Sequence, residues 1–375
     1  QLPIASDVSF PLNAHYASAP ADTKNMQVTQ YNVAFERQLP GRMMVDVTYI
    51  GSQTRNIWIG YEENPAVFIP GNCAPGQFPG VTAANPLCSQ SSAANINARA
   101  ALTLINPAAG AYYTRGDIDQ LFPEGKGEYN SVRIGLQKRM GSGWSANANY
   151  TYGRCYSHGE PATDINNVFP VAQIDPLNNP RPDIDTNWGP CDADRPHLFN
   201  LSSVLVSPGI GGGILNAITK DWQVGLIYQA RSGSALTPSV NGDFALIGGI
   251  QRPVIVDGVD PNLDEPVWVP DAAGVNTRLQ WFNMDAFQFN TPGVWGNVPR
   301  GYLRGPGFWN VDVSFTRNIT FTGGRRVELR VEAFNLFDHV NWGNPNVQLG
   351  NANAGRITGT SGDPRIMQLA VKYNF

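Results

Sequence analysis

The sequence predicts an all-β chain, an antiparallel transmembrane β-barrel with about 9–10 strands, short periplasmic turns and long extracellular loops. Three observations predict this fold. Stretches of about ten residues alternate apolar and polar side chains, which gives each strand one apolar and one polar face. Short and long connections follow each other in turn. Charged residues make up only 15% of the chain, whereas 39 glycines and 29 prolines favour turns and loops.

The chain divides into an N-terminal segment, residues 1–25, and a predicted barrel, residues 26–375. The N-terminal segment is irregular and holds a candidate extra strand at Val8–Leu12. A single-chain bacterial barrel has an even number of strands, so either this segment supplies one more strand or the chain is the C-terminal part of a larger barrel. The predicted strands cover residues 26–39, 43–51, 129–140, 144–152, 197–206, 222–231, 309–319, 326–336 and 366–375.

The connections between these strands differ in length and composition. The long ones are rich in proline, glycine and asparagine, and one of them holds a candidate helix at Ala93–Ile105. Short periplasmic turns and long outer loops are typical of outer-membrane barrels. The short connections lie near 40–42, 141–143, 207–221 and 322–325, and the long ones at 58–128, 153–196, 232–307 and 337–363.

The four cysteines are even in number and show no CxxC spacing. Their order suggests the pairs Cys73–Cys88 and Cys155–Cys191, each within one long loop. An oxidising exterior would allow both disulfides, whereas free buried thiols in a reducing compartment are the alternative.

Composition and motifs exclude several function classes. A net charge of −4 without a basic block argues against nucleic acid as a partner. No run approaches the roughly 20 apolar residues of a spanning helix. Gln1–Ile4 is not the start of a signal peptide, so we expect a mature, trimmed or partial chain. The histidines are dispersed and no GxSxG motif occurs, so we predict neither an enzyme nor a cofactor.

Two polar stretches could bind ions, but a simpler interpretation is favoured for each. The glycine-rich Gly209–Gly213 lacks the Lys-Ser/Thr of a phosphate loop and is predicted to be a flexible turn. An acidic cluster is a weak calcium candidate, although its spacing matches no known loop and solvated acids in turns are the simpler interpretation. That cluster consists of Asp183, Asp185, Asp192 and Asp194.

Charged residues recur on the polar face of the predicted strands and should point into the lumen. They would either pair across strands and fill a narrow barrel, or line a pore and set its selectivity. The predicted lumen-lining residues are Glu36, Asp46, Arg133, Arg139, Asp312, Glu328, Arg330, Glu332 and Lys372.

An ordered set of motifs resembles the C-terminal barrel of TonB-dependent receptor-like outer-membrane proteins, in the Oar-like branch with carboxypeptidase-regulatory-like N-terminal domains. Each motif is weak alone, but the set spans nearly the whole chain in order. The motifs are Gln30–Arg37, Val47–Ser52, Tyr129–Ser131, Leu136–Arg139, Asn149–Tyr152, Asp194–His197, Trp222–Gln223, Ser232–Gly233, Leu303–Gly307, Glu332–His339 and Gly362–Arg365.

The resemblance implies a bacterial outer-membrane receptor that takes up solutes, with its long loops extracellular. It also implies that the terminal strand, with Tyr373 and Phe375, is the insertion signal. The chain departs from the family because it has room for neither the plug nor the coupling box, and is too short for a barrel of about 22 strands.

Three functions follow as hypotheses. In the first, exposed loop aromatics capture a small solute or glycan. In the second, a small structural barrel contacts outer-membrane lipid and self-assembles as a homo-oligomer, array or tube. In the third, the chain is a soluble β-sandwich binding module. The loop aromatics proposed for capture are Trp281, Phe282, Trp295 and Trp309.

Overall fold

The computed structural model describes residues 16–18, 21, 23–62, 65–105, 118–159, 184–246, 248, 251–270 and 274–375. The candidate strand at Val8–Leu12 and the acidic residue Asp183 lie outside these ranges. Numbered along the chain, the strands are β1 Tyr16–Ser18, β2 Gln27–Leu39, β3 Met43–Glu62, β4 Ile118–Gly141, β5 Trp144–Ser157, β6 Gly189–Pro190, β7 His197–Pro208, β8 Lys220–Arg231, β9 Ala235–Leu236, β10 Ser239–Val240, β11 Val254–Ile255, β12 Asn262–Pro270, β13 Asn276–Phe282, β14 Phe287–Gln288, β15 Leu303–Arg304, β16 Phe308–Thr320, β17 Arg326–Phe334, β18 Gln348–Leu349, β19 Arg356–Ile357 and β20 Ile366–Asn374.

One large antiparallel sheet contains every strand predicted from the alternation of apolar and polar residues. Its order is β2-β3-β4-β5-β7-β8-β16-β17-β20, so each predicted strand pairs with the predicted strands before and after it in the sequence. Short connections join half of these antiparallel pairs, and the long connections return the chain to the sheet between the others. The prediction of an all-β, antiparallel chain is therefore confirmed.

Strands β3 and β4 are longer than the sequence pattern predicts. Their ladder continues to the pair Glu62 and Asp119, so the connection between them shrinks from 58–128 to 63–117. The register shifts on both sides of Ile57. Such a bulge moves the side chains that follow it to the opposite face of the sheet. The alternation with a period of two is therefore interrupted, and the sequence pattern does not predict the continued strand.

One face of the large sheet is apolar across all of its strands. Val33 lies opposite Tyr49 on the first pair of strands, and Leu329 lies opposite Val371 on the last pair. Val33 is 71% exposed and Val371 is 74% exposed. A continuous, uncovered apolar face of this kind marks a contact with lipid or protein.

Within the described residues the sheet is open and does not close into a barrel. Strands β2 and β20 stand at its two edges and do not pair with each other. An odd number of antiparallel strands leaves the first and last strands running in the same direction, which prevents antiparallel closure. Strand β1 pairs in parallel with Ile118–Gln120 of β4 and is not an edge strand beside β2 or β20. The prediction of a barrel formed by this chain alone is thus not met by the described residues.

The long connections contain their own structure and their own hydrophobic core. Phe282, Phe287 and Leu303 form the centre of this core, and each is less than 5% exposed. The predicted helix at 93–105 is broken at Arg99 into two short helices. None of the described helices is long and apolar enough to cross a membrane. The helices are α1 Ala93–Ala98, α2 Ala101–Ile105 and α3 Gly213–Thr219, with 3-10 turns at Ile184–Asn187 and Met284–Ala286.

Candidate functional site: the loop end of the sheet

The long connections all leave the same end of the sheet and contact one another there. We call their described residues, within 63–117, 158–196, 232–307 and 335–365, the loop domain. The opposite end, which carries the short connections, is the turn end. Successive strands run in opposite directions, so successive connections lie at opposite ends of the sheet. Since short and long connections alternate along the chain, all the short ones lie at one end and all the long ones at the other.

Asp194 joins the end of the sheet to two parts of the loop domain. Its side chain is only 1% exposed and forms an ion pair with Arg304. One carboxylate oxygen accepts a hydrogen bond from the backbone N–H of Cys155 at 2.8 Å, and the other lies 3.5 Å from Nε of Arg154. Arg304 also donates to the carbonyl oxygen of Gly233 at 3.2 Å. Asp194 therefore links the end of β5, its own loop and the 232–307 loop.

Both predicted disulfides, Cys73–Cys88 and Cys155–Cys191, are present. One detail differs from the prediction, because Cys155 lies within β5 and not in the following loop. The second bridge therefore anchors the loop directly to the sheet.

The acidic cluster does not form a cation site in the described part of the chain. Asp185 pairs with His158 at 3.1 Å, Asp192 pairs with Arg300 at 3.2 Å, and Asp194 contacts arginines elsewhere. No group of three or more His, Cys, Asp or Glu residues among the described residues is arranged to hold a metal ion. The weak calcium prediction receives no support from these contacts.

His158 is a buried titratable group directly after β5. Its Nδ1 accepts a hydrogen bond from the backbone N–H of Lys126 at 2.9 Å, so Nε2 carries the proton and donates to Asp185 at 3.1 Å. Trp188 packs edge-on against the ring at a centroid distance of 4.9 Å. Burial lowers the pKa of His158 below its ordinary value, with Lys126 and Arg300 adding to this effect and Asp185 opposing it.

We expect acidification to destabilise the loop domain through His158. A group with a lowered folded pKa contributes stability that is present above its unfolded pKa of 6.5 and is lost as the pH falls through the folded value. In thermal unfolding followed by near-UV circular dichroism, the midpoint should fall between pH 7.5 and pH 5 by about 2–4 °C more in the wild type than in H158Q. The exposed His197 offers a matched control, H197Q. An equal pH dependence in the wild type and H158Q would contradict the prediction.

Arg99 joins the first long loop to the third. The side chain is fully buried and donates to the carbonyl oxygens of Val67 and Leu246, the latter at 2.8 Å. It also donates to Oδ1 of Asn95 at 2.7 Å and to the carbonyl of Gln90 at 3.3 Å. Burial lowers the pKa of Arg99 to about 10, which leaves the guanidinium charged at neutral pH.

Two of the four aromatic residues predicted to capture ligand are buried, so that prediction is wrong for them. Phe282 is 1% exposed and Trp295 is 8% exposed, because both belong to the hydrophobic core of the loops. Trp281 is half-buried and donates through Nε1 to the carbonyl of Arg304 at 3.4 Å. Trp309 is half-buried and stacks on His339 at a centroid distance of 4.1 Å.

Other aromatic residues of the loop domain reach the surface. Trp268 lies on the β12–β13 hairpin, is 48% exposed, and meets Trp342 edge-to-face at 5.6 Å. Phe244 and Phe289 stack at 4.1 Å and are 38% and 42% exposed. Sequence reasoning missed Trp268, because it lies inside the long connection 232–307, where no periodicity distinguishes exposed from buried aromatic residues.

All the predicted lumen charges lie on the polar face of the sheet. Arg133 of β4 pairs with Asp46 of β3 at 2.7 Å, as expected for a cross-strand contact. Arg330 instead pairs within its own strand, with Glu328 at 2.5 Å and Glu332 at 3.7 Å. The remaining charges share this face by register. A concave space of about 710 Å³ lies over the part of this face that β4, β5, β7, β8, β16 and β17 form, and its lining includes Gln137, Arg139, Asn147, Ser202, Asp312 and Glu332.

Comparison with known proteins agrees with this architecture. A family model described as an outer membrane beta barrel domain matches residues 1–368. No curated protein matches the chain.

Similar solved structures include the ferric-catecholate import receptor Fiu from Escherichia coli K12, at 13% identity and a TM-score of 0.41. The outer membrane transporter YddB from Escherichia coli has 8% identity and a TM-score of 0.41. The FrpB iron transporter from Neisseria meningitidis has 12% identity and a TM-score of 0.38. The three matches cover 95%, 93% and 95% of this chain, but only 29%, 33% and 32% of the length of these proteins.

Proposed function

Because the chain belongs to the outer-membrane β-barrel family, we propose that its loop domain captures a neutral, hydroxyl-rich solute such as an oligosaccharide, as the binding side of an uptake receptor. The family places the chain in the bacterial outer membrane. The lipid contact of the apolar face, solute capture and the outward direction of the loop domain are the parts that we infer.

The observation that carries the proposal is the structured loop domain with an exposed tryptophan, Trp268, packed against the half-buried Trp342. Phe282 and Leu303 are buried as in a folded domain, so the long connections have a defined structure. This core holds the β12–β13 hairpin in place and presents Trp268 beside Trp342. Rigid aromatic faces with few convergent polar groups are the usual lining of small-molecule sites.

The lengths of the connections support an outward orientation of the loop domain. Both disulfides lie at the loop end of the sheet and are compatible with this orientation, because the exterior and the periplasm are both oxidising. Long loops of outer-membrane barrels face the exterior, whereas their short turns face the periplasm. We therefore infer that the turn end is periplasmic and that the polar face, with Arg133 and Asp46, is turned toward a lumen.

Replacing Trp268 with alanine should weaken oligosaccharide binding about tenfold, because the loss of one stacking surface costs roughly 1–2 kcal/mol. The measurement is isothermal titration calorimetry of the full protein in nanodiscs with a panel of linear oligosaccharides. F337A is the control, because Phe337 is 63% exposed but lines an apolar groove on the lipid-facing side. Unchanged binding by W268A, or no heat with any oligosaccharide in the wild type, would refute capture at this surface.

A structural barrel remains the second candidate because the edges of the sheet are open. Strands β2 and β20 each leave one row of backbone groups unpaired within the described residues. In lipid each unpaired group costs several kcal/mol, so these edges require partner strands. A native polypeptide near 40.7 kDa that assembles into ordered arrays would favour partner strands from other copies. A much heavier polypeptide would favour a larger barrel of the receptor type.

A further inference from the structure

The connection between β7 and β8 is a folded apolar element and not the flexible glycine turn that the sequence predicts. Gly209 and Gly211 adopt positive φ angles of 90° and 67°, which turn the chain into helix α3. Four large aliphatic side chains of this connection are uncovered. Ile210 is 64% exposed, Ile214 is 80%, Leu215 is 54% and Ile218 is 56%.

Polar contacts fix α3 to the two strands that it joins. Ser207 donates through its hydroxyl to the carbonyl oxygen of Thr219 at 2.7 Å. The Thr219 hydroxyl accepts the backbone N–H of Ile210 at 2.9 Å. Trp222 of β8 donates through Nε1 to the carbonyl oxygen of Ile218 at 2.8 Å. The exposed aliphatic side chains are therefore presented by a defined structure.

The apolar surface of this connection is continuous with the lipid-facing side of the sheet. A groove of about 540 Å³ lies between them, and Ile210 and Ile218 form the side that belongs to the connection. The registers place the sheet residues of the groove on the apolar face of β8, β16 and β17. These residues are Trp222, Val224, Phe315 and Val331.

We propose that α3 is an interfacial anchor that inserts its aliphatic side chains among the lipid acyl chains at the turn end, with an acyl chain lying in the groove. Residues Gly213–Thr219 carry no charge, while Lys220 follows directly and Arg317 lies 5.7 Å from the Trp222 ring centroid. Apolar side chains beside a tryptophan and cations are the pattern of a segment at the lipid headgroup boundary. The anchor fixes the depth of this edge of the sheet in the membrane.

Lipid fits this surface better than a second copy of the chain. The groove opens onto the same uncovered apolar face of the sheet that we infer meets lipid in the outer membrane. A protein contact would also need polar groups around its apolar centre, whereas the uncovered side chains Ile214, Leu215 and Ile218 of the helix are all aliphatic.

The test places a single label on α3. All four cysteines are in disulfides, so I214C or I218C adds one free thiol for a bimane fluorophore. The full protein is inserted into vesicles of phosphatidylcholine brominated near the carbonyl end of its acyl chains. T322C, in the exposed β16–β17 turn at the same end, is the matched control.

We expect bromine to quench the fluorophore at 214 and 218 at least about twice as strongly as at 322. Equal quenching at all three positions would overturn the proposal. Energy transfer between labelled copies at 214, without quenching by brominated lipid, would overturn it in favour of a second copy. The use of two anchor positions keeps the test valid if one variant fails to insert.

Discussion

Replacing Asp194 with alanine is expected to destabilise the loop domain by about 3–5 kcal/mol, because removing one partner of a buried ion pair leaves the other charge uncompensated. The Asp194 side chain is 1% exposed, and its removal leaves Arg304 without its carboxylate. The backbone N–H of Cys155 loses its acceptor at the same time. The junction between β5 and the 232–307 loop should therefore open.

Denaturant unfolding of the loop domain, followed by near-UV circular dichroism in nanodiscs, measures this effect. D257A is the control, because Asp257 is an exposed carboxylate in the turn that follows β11 of the same domain. Surface substitutions of this kind usually change the free energy of unfolding by less than about 0.5 kcal/mol. D194N should fall between the two, since the amide oxygen still accepts from Cys155 while the charge is lost. Equal costs for D194A and D257A would show that the buried ion pair does not hold the junction.

The large sheet could be predicted from sequence because its strands are encoded locally. Residues two apart share a face, so Val33 and Phe35, or Leu369 and Val371, already define an apolar surface before any partner is known. Each strand repeats this pattern over most of its length, and turn residues mark where it stops. The same alternation predicts that Lys372 lies on the polar face, and its register opposite Glu328 agrees.

The loop domain could not be predicted in the same way, because its core depends on contacts between distant residues. Phe282 packs with residues from several separate segments, and no periodicity distinguishes it from the exposed Trp268. The extension of β3 was hidden by the register shift at Ile57. The sequence did not predict helix α3, because a glycine run indicates a turn; Gly209, Gly211 and Gly213 adopt positive φ angles where the chain enters the helix.

Arg99 provides the clearest case of a long-range contact on which the loop domain depends. Its guanidinium bridges Val67 in the first long loop and Leu246 in the third, residues that lie far apart in the sequence. Sequence alone gives no reason to bury this arginine, since Ala93–Ile105 looks like one ordinary helix. The break at Arg99 lets its side chain point between the loops.

R99M should destabilise the contact between these loops by about 3 kcal/mol or more, because each buried acceptor left without a donor costs about 1–3 kcal/mol. Methionine keeps much of the volume, so the loss reports the hydrogen bonds. R99K should recover only part of the stability, since an ammonium group cannot reproduce the planar fork of donors.

Hydrogen exchange of the backbone amides around Val67 and Ala245 provides the measurement, and R356M is the control. Arg356 is half-buried and donates to Gln280 and Ala352 within another part of the loop domain. Faster exchange in R99M than in R356M at these amides would identify Arg99 as the tie between the loops. If these amides exchange at the same rate in both variants, apolar contacts such as that of Trp295 with Phe68 hold the loops together. The proposed aromatic capture surface would then not depend on the buried charge of Arg99.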